Sequence, residues 1–336
     1  MKQYDFIAIG DTVTDAFIRL ENPSAHIDID HEVREICMHF ADKIPYESVT
    51  IVPAVGNSAN AAVAAARLGL NSALVSNIGD DYFGKECLDS LKKNGVNTEF
   101  ITIHKNQKTN YHYVLWFEDD RTILIKHEEY EYHLPDTKSP RWIYFSSLAG
   151  NSELFHKVVE KYLTDHPEVK LAFQPGTFQM RMGRAKLGGI YKRADVFFCN
   201  KEEAQRILDT KEENIKILLK MMREAGPRIV VITDGKKGAY VFDGSTSLTT
   251  GGKMLYMRAY PDPKPPYERT GAGDAFSSTF TAALALGLNV EDALRWGPIN
   301  SMSVVQKIGA REGLLTRSEL EKYLAEAPED YYPRPI

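Results

Sequence analysis

Short apolar runs alternate with helix-period segments along this chain. Phe6 to Ile9, Ala73 to Ser76, Trp142 to Phe145, Lys170 to Phe173, Val196 to Cys199 and Ile229 to Ile232 are rich in β-branched or aromatic residues, and each is stopped by polar residues or glycine. Runs without polar alternation suit strands buried on both faces of a parallel sheet. Between them lie segments with helical periodicity: Ala59 to Leu68, Phe83 to Lys93, Glu153 to Thr164, Glu202 to Leu208 and Glu213 to Ala225. Strand–helix–strand repetition predicts right-handed crossovers and a doubly wound α/β core, a mostly parallel sheet flanked by helices. Ligands of such sheets sit where strand ends open into helix N-termini.

Two stretches break the rhythm. Residues 16–52 lack regular alternation, with a short helix expected from His31 to Phe40. Within 98–134, Val114 to Phe117 and Thr122 to Ile125 flank a polar Glu118-Asp-Asp120 and read as a hairpin. Both are expected to supply strands of a small β-sheet lid. No Ser/Gly linker separates them from the core, so one domain over residues 1–336 is expected. At 43% hydrophobic and 26% charged residues, a chain of 336 residues has ample material for a core. Lys plus Arg is 41 against Asp plus Glu 46, and the net charge of −5 gives no electrostatic reason to expect nucleic acid or an anionic membrane as partner. Cys37, Cys87 and Cys199 are scattered, without metal-type spacing, and a reducing compartment is expected. The opening apolar run is stopped by Asp11, too short for a secretory leader, and no stretch approaches a membrane span, so a cytoplasmic location is expected.

The most informative segment is Glu268-Arg-Thr-Gly-Ala-Gly-Asp-Ala-Phe276, which runs into a helical pattern to Leu286. Gly271, Ala272 and Gly273 then stand at a helix start, where unpaired amides and the helix dipole make an anion site. Asp274 lies beside it. A carboxylate at an anion hole can take a hydroxyl proton while that hydroxyl attacks a phosphoryl group; it is equally an ordinary acid in a first helical turn. Val55-Gly-Asn-Ser-Ala-Asn60 leads into a helix of small residues. Asn60 there can present an amide to a polyol, while Asn57 or Ser58 suits a simple N-cap. Ile232-Thr-Asp-Gly-Lys-Lys-Gly-Ala-Tyr240 is either a phosphate-holding loop or a hairpin turn. Asn200 and Glu203 match a capping box. Asp11 and Asp15 follow the first strand and are available to hydroxyls. There is no P-loop, no G-x-S-x-G elbow, no G-x-G-x-x-G after the first strand and no HExxH.

Taken in this order, the segments resemble the ribokinase/PfkB family of carbohydrate and nucleoside kinases over roughly Tyr4 to Leu324. The family's DTTGAGDAF motif corresponds to Glu268 to Phe276. Its GGxxAN, AxxLG and GxDxxG elements correspond to Val55 to Asn60, Ala66 to Gly69 and Gly79 to Gly84, its NxxE to Asn200 to Glu203, and its TxGxxG loop to Thr233 to Gly238. The resemblance implies an ATP- and Mg²⁺-dependent phosphotransferase acting on a hydroxymethyl group of a sugar or nucleoside. In it Asp274 is the general base, and the amides of Gly271, Ala272 and Gly273 form the anion hole. Asp15, Gly56 and Asn60 bind substrate, while Thr233, Gly235, Gly238 and Asn300 serve ATP, with Asn300 near the adenine. Asn200 and Glu203 organise Mg²⁺ through water. The inserted strands become a lid that often pairs with a second subunit's lid, implying a homodimer.

The chain departs from the family at several positions. Val55 replaces the first glycine of the usual pair, Val13 and Ser146-Ser147 stand where ribokinases carry Asn and Glu, and Asp234 replaces an apolar residue. Glu268-Arg269 replaces the usual Asp-Thr at a turn that often accompanies a monovalent-cation site. Tyr111, Tyr113, Trp116 and Phe117 suit either base stacking or lid packing, and Lys105, Lys108 and Arg121 suit either a sugar phosphate or solvent. A phosphosugar kinase and a catalytically silent ligand-binding regulator are the alternatives.

Overall fold

The computed structural model describes residues 3–21, 25–30, 33–118, 120–245 and 252–336. Its main sheet is built from β1 (Phe6–Ile9), β6 (Ser72–Gly79), β7 (Ile101–His104), β10 (Trp142–Phe145), β11 (Lys170–Phe173), β12 (Val196–Asn200), β13 (Ile229–Thr233), β14 (Ala239–Asp243), β15 (Lys253–Met257) and β16 (Arg334–Pro335). The order is β7-β6-β1-β10-β11-β12-β13 for the parallel strands, continued antiparallel by β14-β15-β16. A second sheet has the order β5-β2-β8-β9, from β2 (Val13–Leu20), β5 (Tyr46–Val55), β8 (Tyr111–Phe117) and β9 (Asp120–Leu124). A hairpin of β3 (His26–Asp30) and β4 (Val33–Cys37) stands beside it.

Helices cover both faces of the main sheet, which is why its strands carry unbroken apolar runs. Phe6 and Ala8 face one core layer, with α1 (Asn57–Arg67), α2 (Tyr82–Lys93), α8 (Ala272–Ala285), α9 (Val290–Val304) and α10 (Arg317–Ala325). Ile7 and Ile9 face the other, with α3 (Glu153–Asp165), α5 (Arg184–Arg193), α6 (Lys201–Leu208) and α7 (Ile215–Glu224). The short α4 (Thr177–Met182) follows β11 at the sheet's carboxyl edge. Alanine-rich α1 brings no bulky side chain to its contact with α8, so two buried helices lie side by side behind the site.

Two expectations about the inserted stretches change. β7, inside the range 98–134, pairs parallel with β6 in the main sheet: it completes an ordinary β6–α2–β7 crossover rather than joining the lid. Within the expected helix from His31 to Phe40, residues 33–37 form a strand paired with β3, a pairing that suits the β-branched Ile36. Residues 22–24, 31–32 and 119 of the two lid ranges lie outside the described residues. No described helix is long and apolar enough to cross a membrane.

Candidate active site

β1 is the point where the chain turns from one half of the main sheet to the other, with β6 on one side and β10 on its other. Above the carboxyl ends of these strands the lid sheet encloses a cleft of about 1020 Å³. The strand ends deliver Ser147 after β10, Gln174 after β11, Asn200 at the end of β12 and Thr233 at the end of β13. Opposite them α8 aims its N-terminus into the cleft. Its N-terminus has no side-chain cap, which leaves the first-turn amides open. Gly271 has φ +82°, and a Cβ there would come within 2.4 Å of Ala310 Cα, so only glycine makes this entry into the helix.

Asp274 stands in that first turn. Its Oδ2 accepts from Asn60 Nδ2 at 2.9 Å and its Oδ1 from Gln174 Nε2 at 3.1 Å. Enclosure raises its pKa above the ordinary carboxylate range; the two amide donors, and Arg121 more weakly, pull it back, while Asp15 adds to the rise. Gln174 is itself held by Tyr144 and by Ser277, whose Oγ donates at 3.1 Å to Gln174 Oε1. The carboxylate therefore has a fixed orientation and a lowered acidity beside the uncapped N-terminus of α8.

Asp15, Gly56 and Asn60 line the same cleft, as do Thr233, Gly235, Gly238, Asn200, Glu203 and Gly271 to Gly273. Asp15 meets His112 Nδ1 at 3.3 Å. Gly56, at φ +106°, has Asp11 O 2.9 Å from where a Cβ would be. Asn200 and Glu203 form the reciprocal capping box, with Glu203 N donating to Asn200 Oδ1 at 2.8 Å and Asn200 N to Glu203 Oε2 at 2.9 Å. Burial raises the pKa of Glu203, and the charge of Asp274 adds to it. The 233–238 segment is a hairpin turn between antiparallel β13 and β14, with a single 3₁₀ turn at Gly235–Lys237, and it also borders the cleft.

Asn300 is elsewhere. It is fully buried between α9 and α8, donating to Thr279 Oγ1 at 2.7 Å and accepting from Leu315 N at 2.9 Å, and it does not line the cleft. Its expected place beside a nucleotide base is corrected to a core tie, because both ends of its amide are taken up inside the protein. Asp11 is likewise committed, to Ala149 N at 2.9 Å, Tyr132 and His127. Of the lid aromatics, Tyr111 packs on Phe83, and Trp116 lies under Arg19 and against Tyr267; none of the four lines the cleft. Lys105 and Lys108 do not reach it, whereas Arg121 does, with Nε 3.8 Å from Glu268 Oε1. Glu268 is buried and its pKa is raised by that burial. Sequence reasoning missed Gln174 and His112 as site residues. A polar residue immediately following a buried strand was the available signal for Gln174.

The sequence model of the pfkB family of carbohydrate kinases matches residues 24–317. The chain belongs to the pfkB carbohydrate kinase family. It is 28% identical over 278 residues to a ribokinase of Bacillus subtilis strain 168, covering 80% of this chain and 87% of that protein. A nucleoside kinase of Methanothermobacter thermautotrophicus is 24% identical over 271 residues, covering 80% of this chain and 83% of that protein. Among solved structures, Arabidopsis thaliana ribokinase complexed with ribose and ATP superposes with a TM-score of 0.79 at 19% identity, covering 96% of this chain and 99% of that one, which gives the same ribokinase fold. A pfkB-family chain of this fold is a kinase, a transferase. The large mostly parallel sheet flanked by helices and the separate small lid sheet are those of that fold.

Proposed function

We propose that this kinase transfers the γ-phosphoryl group of ATP to a hydroxymethyl group of a sugar or nucleoside, with Asp274 as general base and the amides of Gly271, Ala272 and Gly273 as the anion hole. The observation that carries the reading is the carboxylate of Asp274, held by Asn60 and Gln174 directly beside the uncapped N-terminus of α8. An acceptor hydroxyl at Asp274 loses its proton to the carboxylate as it attacks. The helix amides offset the charge gathering on the transferred group, and a closed lid keeps water from competing. Asp15, Gly56 and Asn60 form the acceptor floor, and Thr233, Gly235 and Gly238 the nucleotide side.

The donor set fits Mg²⁺ held through water. Among the described residues no cluster of three or more ligating side chains exists. Asn200 and Glu203 instead border the cleft, and Glu203 carries a half-buried carboxylate whose charge a cation would stabilise. Mg²⁺ characteristically keeps waters and takes one or two carboxylates with substrate phosphates; bound there it would draw charge from the β- and γ-phosphates. Glu268 Oε2 and Thr270 Oγ1 are buried without partners beside the anion hole and suit the monovalent cation implied by the family. Homodimerisation through the lid and a cytoplasmic setting belong to the same reading.

The test is ADP release with Mg-ATP across pentoses, hexoses, hexose phosphates and nucleosides. Asp274→Asn is expected to lower kcat by about 10²–10⁴-fold, with the fold and nucleotide binding retained. Wild-type turnover in that variant refutes the mechanism. ATP-induced stabilisation without turnover of any acceptor would mark a ligand-binding regulator instead.

A further inference from the structure

The ceiling of the cleft carries a pattern that the phosphotransfer reading leaves unused. Arg121, Ile123, Ile125 and His127 all line the cleft, as alternate residues of one extended segment do when they share a face. The register sets them in rows across the lid. Asp15 pairs with His112 and Arg19 with Trp116, while Val114 pairs with Ile123 and Trp116 with Arg121. Ile125, one step beyond Leu124, continues toward the Asp15–His112 row, and His127 touches the ring of His112 with centroids 5.3 Å apart. Arg121 is thus at the anion-hole end, beside Glu268, and the two histidines are at the acceptor end.

The acceptor end is polar at one point and apolar around it. His112 Nε2 and Asn60 Oδ1 are buried without hydrogen-bond partners, and Asp15 Oδ1 has only the His112 contact. All three residues line the cleft and are nine-tenths or more buried. Carboxylate and amide oxygens require donors, which hydroxyl groups supply and a phosphate dianion does not. Beside them Ile123 and Ile125 remain 37% and 47% exposed although they face the cleft. Phe178, half-buried on α4, meets His127 edge-on at 5.5 Å and lines the cleft with Met180. A free pentose or hexose presents hydroxyls on every side and would leave these apolar groups wet. A phosphosugar would set a dianion near the carboxylates of Asp15 and Asp274.

We infer that the acceptor is a nucleoside, its furanose hydroxyls held by Asp15, Asn60 and His112 and its planar base covered by Ile123, Ile125 and Phe178. The inference rests on the phosphotransfer reading only for which hydroxyl reacts; the pocket's preference is a matter of binding. His112 is then a specificity-determining residue, and the apolar ceiling is what separates a nucleoside from the ribose it contains.

Calorimetry on full-length Asp274→Asn, with adenosine, cytidine, guanosine, uridine, D-ribose and fructose 6-phosphate as probes, separates binding from turnover. At least one ribonucleoside is expected to bind about tenfold or more tighter than D-ribose, and its 2′,3′-dideoxy counterpart to lose that affinity. Ile125→Ala and Phe178→Ala, both at exposed or half-exposed positions that the core does not need, should each reduce the nucleoside-to-ribose ratio by about fivefold or more. His112→Ala should weaken ribonucleosides more than their dideoxy forms. D-ribose or fructose 6-phosphate binding as tightly as every nucleoside overturns the inference, as do ratios unmoved by both apolar truncations, or no binding by any probe. If the wild-type enzyme releases ADP with such a preferred sugar, the kinase reading stands and this one falls. If nucleosides bind selectively yet none is phosphorylated, the pocket assignment stands and the kinase reading falls.

Discussion

At the scale of single residues, the site depends on how one carboxylate is held. Two amide donors reach Asp274, and each favours its charged form against the burial that disfavours it. Gln174→Met removes one donor and keeps similar bulk, so the Asp274 pKa should rise further. The acid limb of kcat/KM against pH should then move to higher pH, with the wild-type limb already above the ordinary carboxylate range. An acid limb that stays in place would mean that Asp274 is not the titrating base. Glu268 is also buried; its Oε1 accepts from Thr270 N at 2.6 Å and lies 3.8 Å from Arg121 Nε, and burial still outweighs these partners. Its folded-state pKa is raised above the unfolded one, so its charge costs stability above the folded pKa and costs nothing below the unfolded one. Glu268→Gln should accordingly raise the melting temperature at pH 8 more than at pH 4; an equal shift at both would place its effect outside titration. Asp274 and the glycines before it were legible in sequence because a helix start, an acid and small residues coincide in one short segment. Gln174 and His112 were not, since each acquires its role from a neighbour far along the chain.

At the scale of elements, most of the parallel core was readable because burial on both faces leaves unbroken apolar runs that polar alternation cannot imitate. The β3–β4 hairpin was not, for its residues, Glu35 and Ile36 among them, satisfy short helical and strand patterns equally until a partner strand decides. β7 was hidden in the same way: Ile101–His104 is half-exposed at a sheet edge and carries no continuous apolar run. Asn300 shows a different case: its place near the adenine was implied by the family resemblance alone, whereas the helix pair itself uses its amide. It ties α9 to Thr279 of α8 and to the turn at Leu315. Asn300→Ala leaves a buried hydroxyl and a buried amide unpaired and should cost about 2–4 kcal/mol in urea unfolding, with the KM for ATP within about twofold of wild type. A large rise in that KM at unchanged stability would return Asn300 to the nucleotide site.

At the scale of the whole molecule, the lid sheet has two faces and the core covers only one. Residues that alternate with the cleft-facing ones form rows on the outer side: Ile51 pairs with Ala16, which pairs with Tyr113, which pairs with Leu124. Ile51, Tyr113 and Leu124 are 52%, 49% and 51% exposed, and Val49 in the next row is 48% exposed. Among the described residues β5 is also an edge strand of this sheet, with one side open to further pairing. An apolar outer face on a four-stranded sheet is expensive to leave in water, and a second copy's lid is a partner with matching chemistry; a stable contact needs about 800 Å² from each side. The protein is therefore expected to sediment as a dimer, and Ile51→Lys with Tyr113→Lys to sediment as a monomer. Because the inner face of the same strands carries Asp15, His112 and Ile123, loss of the partner should loosen the ceiling. KM for the acceptor should then rise more than kcat falls, while the KM for ATP moves least. A wild-type monomer would refute the pairing, and a monomeric variant with unchanged acceptor KM would show that the lid holds its shape without it.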